Sequence, residues 1–562
     1  MVGIDSKQLE DILKFSIGLV VLLLINIISE KYFFRLDLTE EKRFSISEPT
    51  KVMLKNMEET VYVEVYLDGD LPSGFRRLRT AIEETLEEFR IFSDNHVQYS
   101  FVNPDLAGSA KSRNEFMMEI ARKGVQPTDV FLTENGKQIQ KRILPGAVLS
   151  YGVREQGVLL LKGNKGAPPE EQLNQSVEGL EYQLASVIRT LTKEKVEIIG
   201  ISTGHGELGG KDIFSFKKSL EDKYIVRELV LDSNADLGGT DLLIIVKPVT
   251  KFLPDEKYLL DQYIMRGGKV LFLLDALAAS MDSTTISFPY DLNLDDLLFR
   301  YGVRINKDLV MDMLSAKAPV VVGNLGDQPQ IRMLPWPFYP LINTYADHAV
   351  VRNLDAVKLL FVSSIDTVKA PGIKKTLLLF TSGYSRRLSA PIRIDLDELK
   401  KPLDPKSFNQ SGIPVACLLE GSFTSLFKNR PIPQLKNNGA DLKNNFLEYG
   451  VSTKIMVIAD GDIVRNAFDP RSGQPSPMGF DYYSQYTFAN EDFIMNAIEY
   501  MLDDKGVILS RNKEIVLRPL DKVKIQSERR KWQVLNLLMP VIVLLVFGVI
   551  RNFVRKKRYA SF

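Results

Sequence analysis

The chain has 562 residues, with 72 basic and 71 acidic side chains, a formal net charge of +1, three histidines and one cysteine. So even a balance gives no global field to favour nucleic acid, and Cys417 alone excludes an intramolecular disulfide. The length predicts two or three domains whose stability rests on apolar cores.

Two apolar segments stand at opposite ends, Phe15–Ile28 and Val534–Ile550. Roughly 20 apolar residues cross a bilayer core. The second segment nearly reaches that, and the first approaches it with interfacial Tyr32, Phe33 and Phe34. A cleaved signal peptide is a poor reading of the first, because no small-x-small site follows it. Arg551, Arg555, Lys556, Lys557 and Arg558 after the second segment are an inside signal, opposed by Arg529, Arg530 and Lys531 before it. We therefore expect two membrane spans, both termini cytoplasmic, and a large external middle.

The expected divisions are an anchor at 1–36, a first α/β domain at 37–165, a second at 170–510, a connector at 511–533 and a final span with basic tail at 534–562. Within the first domain, Val61–Leu67 reads as a strand. Phe75, Leu78, Ile82, Leu86 and Phe89 recur at helical spacing. A strand at Val97–Val102, a helix at Glu115–Lys123 and a hairpin over Leu144–Leu161, turning near Glu155–Gly157, complete a thioredoxin-like layer. It has no C-x-x-C.

After a Gly/Pro linker at Gly163–Pro169 and a helix at Leu180–Leu191, the runs Val196–Ile201, Leu242–Val246 and Val270–Leu274 are apolar throughout, as parallel strands buried on both faces are. Helical stretches at Ile213–Leu220 and Glu256–Met265 alternate with them. This order predicts a doubly wound, flavodoxin- or amidotransferase-like sheet, which Val357–Val362, Leu377–Phe380, Val415–Leu419 and Ile455–Ile458 would extend. Phe493–Leu502 reads as a closing helix. Asn429–Asn445 and Asp469–Met478 read as exposed polar loops.

Candidate chemistry gathers at the carboxyl ends of those strands, where open α/β sheets bind ligands. The loop Ser202–Gly210, with Thr203, His205 and Glu207, would share that edge with Lys247 and Asp275. One reading is a ligand pocket or a degenerate hydrolase site. The plainer reading is a glycine turn in which His205 is a satisfied structural group. Asp460-Gly-Asp462 reads as a cation site or, more plainly, a turn cap. The position after Leu242–Val246, where an amidotransferase holds its nucleophile, is Lys247. Gly268-Lys269 is no P-loop, and the three histidines lack metal-ligand spacing. Neither catalytic residue, cofactor nor metal is expected. Leu334–Pro340 reads as a rigid loop in which Trp336, Phe338 and Tyr339, set among prolines, either dock a partner or pack over their own domain. Lys522–Trp532 is expected to continue as helix into the second span, either coupling the external domain to the membrane or serving as an ordinary interfacial anchor.

Asp37-Leu-Thr39 with Phe44–Ser47, Ser202–Glu207, Pro335–Pro340, Glu420–Ser425 with Phe427–Arg430, Asp460–Asp462, Asn490–Leu502 and Leu517–Asp521 together resemble the GldG family, accessory proteins of gliding-motility-associated ABC transporters in Bacteroidetes. The resemblance spans essentially the whole chain. It implies a non-enzymatic, substrate-binding-like subunit with a periplasmic domain, working with a GldF-like permease and, through it, a GldA-like ATPase. It also implies distant similarity to an intraflagellar-transport component, and supplies no catalytic residues. A homodimer within such a complex is compatible with symmetry. The alternatives are a periplasmic scaffold for a motility or secretion machine, and a membrane-tethered hydrolase using His205 and Glu207.

Overall fold

A computed structural model describes residues 13–24, 45–106, 110–134, 137–161, 168–193, 195–232, 235–280, 285–325, 328–395, 399, 403–433, 445–469, 471–503, 506–512 and 522–559. The chain divides into two units, Met1–Glu514 and Ile515–Phe562.

In the first unit, α1 (Leu13–Leu24) is an apolar helix whose side chains are exposed. The remainder of the expected first span, and residues 513–521 of the connector, lie outside the described residues. Then follow α2 (Glu48–Lys55), β1 (Val61–Val65), α3 (Ser73–Phe92), β2 (Val97–Phe101), α4 (Ala110–Arg122), a hairpin of β3 (Thr128–Glu134) and β4 (Lys137–Ile143), β5 (Gly146–Tyr151), β6 (Arg154–Leu159) and α5 (Pro169–Thr192). The first sheet has the order β2-β1-β5-β6, with β1 parallel to β2 and antiparallel to β5. In β1, Val61, Val63 and Val65 face inward between exposed Tyr62 and Glu64, the alternation that a half-buried strand requires. The α3 stripe of Phe75, Leu78, Ile82, Leu86 and Phe89 is buried against that face. Two boundaries differ from expectation. The β5–β6 turn falls at Gly152, φ +58°, and Glu155–Gly157 lies inside β6. Helix α4 begins at Ala110, ahead of Glu115.

The larger sheet is built from β7 (Ile198–Thr203), β8 (Ile225–Val230), β9 (Leu242–Val246), β10 (Lys269–Leu273), β13 (Thr344–Tyr345), β14 (Ile373–Phe380), β15 (Pro414–Thr424) and β16 (Tyr449–Ile458), in the order β13-β14-β15-β16-β10-β9-β7-β8. The stretch β16-β10-β9-β7-β8 is parallel, and β13, β14 and β15 extend it antiparallel. The sheet is therefore mixed. Every residue of β9 is buried. Helices α6 (Phe214–Glu221), α7 (Pro254–Met265) and α9 (Asn490–Leu502) supply Phe216, Tyr258, Leu260, Phe493 and Ile498 to the same core. A shorter helix, α8 (Asp295–Tyr301), stops at Gly302, whose φ of +105° suits a helix C-terminus. Cys417 is buried in β15, where desolvation pushes its thiol up to about 12.

Two expectations fail here. Of Val357–Val362 only Val357–Lys358 is a strand, and it pairs with β12 rather than with the large sheet. The proline-rich aromatic segment is no loop: it belongs to β12 (Gln328–Ile342), which forms a long hairpin with β11 (Ser315–Leu325). Trp336 and Phe338 are buried with Leu309, Met311 and Ile392, and Tyr339 packs partly buried beside them. The faces of Trp336 and Phe338 are thus committed to the core of this chain, while Tyr339 keeps part of its surface exposed. Of the two polar loops, 434–444 lies outside the described residues and Arg471–Gln474 is exposed.

The described residues of the second unit form one helix, α10 (Lys522–Tyr559), continuous from Lys522 into the expected span. Its apolar side chains from Val534 to Val554 are exposed. Among the described residues it is the one helix long and apolar enough to cross a membrane.

Candidate functional site

Parallel registry brings the carboxyl ends of β7, β9, β10 and β16 to one edge. Ile244 pairs with Ile201 and Leu271, while Leu273 pairs with Val246 and Ile458. The residues that leave those strands must therefore meet.

The chain leaves β9 through Lys247, whose φ of +49° lies in the left-handed region that non-glycine residues avoid. Such a conformation costs on the order of 1–3 kcal/mol and persists only where its surroundings impose it. They do so here. Lys247 Nζ lies 2.8 Å from Asp275 Oδ2 and also pairs with the Asp462 carboxylate. Asp275 Oδ1 accepts the Gly461 N–H at 2.6 Å. Asp460 accepts the Asp462 N–H on Oδ1 and the Leu360 N–H on Oδ2, each at 2.7 Å. Arg465 Nε sits 3.0 Å from Asp462 Oδ1.

All three aspartates are buried, with carboxylate oxygens within 4.8 Å of one another. Burial and the Asp462 charge raise Asp275 to about 6 against the pull of Lys247, and burial with the Asp275 charge drives Asp460 well above the carboxylate range. Burial alone would lower the Lys247 ammonium, but Asp275 and Asp462 hold it above its ordinary value. Three carboxylates are the hard donors that a Mg²⁺ or Ca²⁺ site uses. The Lys247 ammonium, however, stands where such an ion would bridge Asp275 and Asp462, so the residues present do not fit a metal.

A second cluster surrounds His205. Its ring stacks on Phe252 at 3.8 Å between centroids and 6° between planes. Nε2 lies 3.0 Å from Glu256 Oε2, and Nδ1 lies 3.6 Å from Glu207 Oε1. Glu207 is fixed in turn by the His205 N–H at 2.6 Å and the Ser202 hydroxyl at 3.0 Å. Glu256, in the first turn of α7, also accepts the Leu253 N–H at 2.6 Å as a helix cap. Burial works against the imidazolium, yet Glu207 and Glu256 raise His205 above its ordinary value. Burial would raise Glu207, but His205 and the backbone donors hold it low.

The turn needs its glycines. Gly204 and Gly206 have φ of +111° and +72°, and a Cβ on Gly206 would come within 2.5 Å of Val249 Cγ2. Thr203 ends β7 half-buried, its carbonyl taken by Leu231 N–H. The edge is thus two ion-pair clusters, one round His205 and one round Lys247. Backbone bonds lock them together: Leu208 N–H to Val246 O, and Val249 and Thr250 N–H to His205 O. Ser202 donates to Glu207 rather than to His205, so the nucleophile–base pair that covalent catalysis requires is not formed by these residues.

Glu256 and Arg465 are members that sequence reading missed, and Asp460 and Asp462 it had not joined to Lys247. The signal was available for Glu256, since Pro254-Asp-Glu256 is a helix start with an acid at the capping position.

The edge lies inside the stretch that is shared with other proteins. Residues 197–497, from the start of β7 into α9, match the family described as ABC-type uncharacterized transport system. The chain belongs to this family. Its members are auxiliary proteins of ABC-type transport, and the matched region carries both ion-pair clusters. Residues 40–150 match a further domain of unknown function. An uncharacterized protein from Borreliella burgdorferi is 21% identical over 564 residues, covering 98% of each chain. A solved mmIFT52 N-terminal domain is similar at 16% identity and a TM-score of 0.32, over 54% of this chain and 97% of that one.

Proposed function

We propose that the protein is a non-catalytic auxiliary subunit of a GldG-type ABC complex. Two helices anchor it in a bacterial inner membrane, both termini are cytoplasmic, and a periplasmic α/β body engages a substrate or partner. Its membrane partner is a GldF-like permease, which links it to a GldA-like ATPase. The family match supports the transport context. The order β2-β1-β5-β6, with β1 and β2 parallel, supports a thioredoxin-like reading of the first layer. The parallel run β16-β10-β9-β7-β8 supports a flavodoxin- or amidotransferase-like reading of the second.

The observation that carries the proposal is the sheet edge itself. Where a related enzyme would hold a nucleophile, Lys247 is consumed by Asp275 and Asp462. Where a base would stand, His205 is consumed by Glu256 and Phe252. Charges satisfied inside the chain stiffen a fold, and a stiff body on a membrane helix suits a coupling subunit.

The test is affinity purification of the tagged full-length protein from membranes in mild detergent. A permease and an ATPase of ABC type should co-purify, and removal of residues 522–562 should release them. Recovery of the intact protein without a permease would overturn the assignment. Alanine at both His205 and Glu207, with transport or motility unchanged, excludes the hydrolase alternative.

A further inference from the structure

A cleft of about 340 Å³ lies away from the sheet edge, between α5 on one side and the segment Arg352–Asp355 with α9 on the other. Its size falls where small-molecule sites begin. Its walls are rich in side-chain amides: Gln172, Gln175 and Gln183 on α5 face Asn353 and Asn496.

Gln183 is the residue that points to a ligand. It is 7% exposed, and its buried Oε1 has no hydrogen-bond partner among the described residues. A buried amide oxygen left in that state costs about 1–3 kcal/mol. Gln183 itself lines the cleft wall. Asn353, held at φ +53°, donates to Glu178 Oε2 at 3.2 Å, and Asn496 donates to Val350 O at 3.2 Å, so the opposing amides are already oriented.

The charged groups of the cleft are largely spent on the protein. Arg352 pairs with Asp347 at 3.1 Å. Arg511 donates to the Arg352 carbonyl at 2.9 Å and lies over the Tyr182 ring. Asp355 accepts from Tyr486 and from the Ala356 N–H, and Glu491 accepts from Ser219. Glu178, Asp355, Glu491 and Asp492 outnumber the two arginines, which disfavours a phosphate or carboxylate ligand. Leu159, Leu354 and Phe488 add an apolar surface.

We propose that this cleft binds an uncharged, hydroxyl-rich molecule of mono- or disaccharide size. Amides donate and accept at once, as vicinal hydroxyls do, and the apolar surface suits the C–H face of a pyranose ring. The site is separate from the Lys247 edge and does not depend on which permease the chain accompanies.

The test is saturation-transfer difference NMR on the full-length protein in detergent, with maltose and N-acetylglucosamine as probes. An alanyl-alanine dipeptide, spermidine and inorganic phosphate run in parallel. Ring protons of at least one saccharide should receive saturation. Its affinity should weaken about tenfold in Gln183→Leu, the loss that one hydrogen bond of about 1.4 kcal/mol represents, and measurably in Gln175→Ala. If Gln183→Leu does not fold, Gln175→Ala at the half-buried rim decides alone. No transfer to either saccharide, undiminished transfer in the folded variants, or binding confined to the dipeptide, spermidine or phosphate would overturn the proposal.

Discussion

Gly461 lies directly against Lys247: a Cβ built on the glycine would stand 2.6 Å from Lys247 Cβ and 2.9 Å from its Cα. The glycine donates its N–H to Asp275 while the lysine neutralises the same carboxylate. One missing methyl group therefore permits the closure of β10, β16 and the turn after β9 into a single cluster.

Gly461→Ala should destabilise the protein by about 1–3 kcal/mol, the usual cost of overpacking. The atoms it meets are the root of Lys247 and its backbone, which cannot swing aside as a side-chain tip can. Urea unfolding of the variant checks this, and an unchanged midpoint would show that the cluster is looser than its distances.

Lys247→Met keeps the length of the side chain and its left-handed backbone but removes the ammonium. Asp275 and Asp462 are then left buried without their main counter-charge, and loss of one partner of a buried pair costs about 3–5 kcal/mol. The loss should shrink in acid. Asp275 already titrates near about 6, above its unfolded value, so the native state takes up a proton there more readily than the unfolded chain. Wild-type stability is thus expected to decline as pH rises from about 4 to about 6 through this group, and the variant's deficit to widen over a window extending higher. Thermal unfolding of both proteins across that range measures the crossover.

His205 gives a second pH dependence. Its native pKa is raised by Glu207 and Glu256, so its ionic contribution is fully present below the unfolded value of about 6.5 and is lost as pH rises through the native one. Replacement by glutamine keeps a donor toward Glu256 but cannot titrate. His205→Gln should flatten the fall in stability as pH rises above about 6.5. A wild-type slope that persists in the variant would place the titration elsewhere.

The strands that form the floor of the site were legible because β9, most of β10 and the end of β16, Ile455–Ile458, are buried on both faces and so read as unbroken apolar runs. Edge strand β8 was not, since Arg227 and Glu228 in Ile225–Val230 face solvent and dilute the pattern. The hairpin of β11 and β12 escaped notice for a different reason. Pro335, Pro337 and Pro340 suggest a loop, whereas β12 accommodates them at the register shift between Ser315 and Lys317, which pair with Pro340 and Pro335. Within the site, His205 with Glu207 and Lys247 with Asp275 could be placed on one edge by topology. The pairing of Lys247 with Asp462 could not, because local pattern carries no record of a contact made across 215 residues of chain.

Trp336 separates the two readings of the aromatic segment by energy. Its side chain is 1% exposed and packs on Phe338 with ring centroids 5.4 Å apart. Truncating a buried tryptophan to alanine costs about 3–5 kcal/mol, whereas an exposed docking side chain could be removed within about 0.5 kcal/mol. Trp336→Ala should therefore lower the unfolding midpoint of the isolated protein sharply, with any loss of partner binding following from misfolding. Exposed Tyr384 provides the contrast: Tyr384→Ala should leave stability within the smaller figure. If the two variants proved equally stable, the segment would have to be free of the core, and its aromatic face would again be open to a partner.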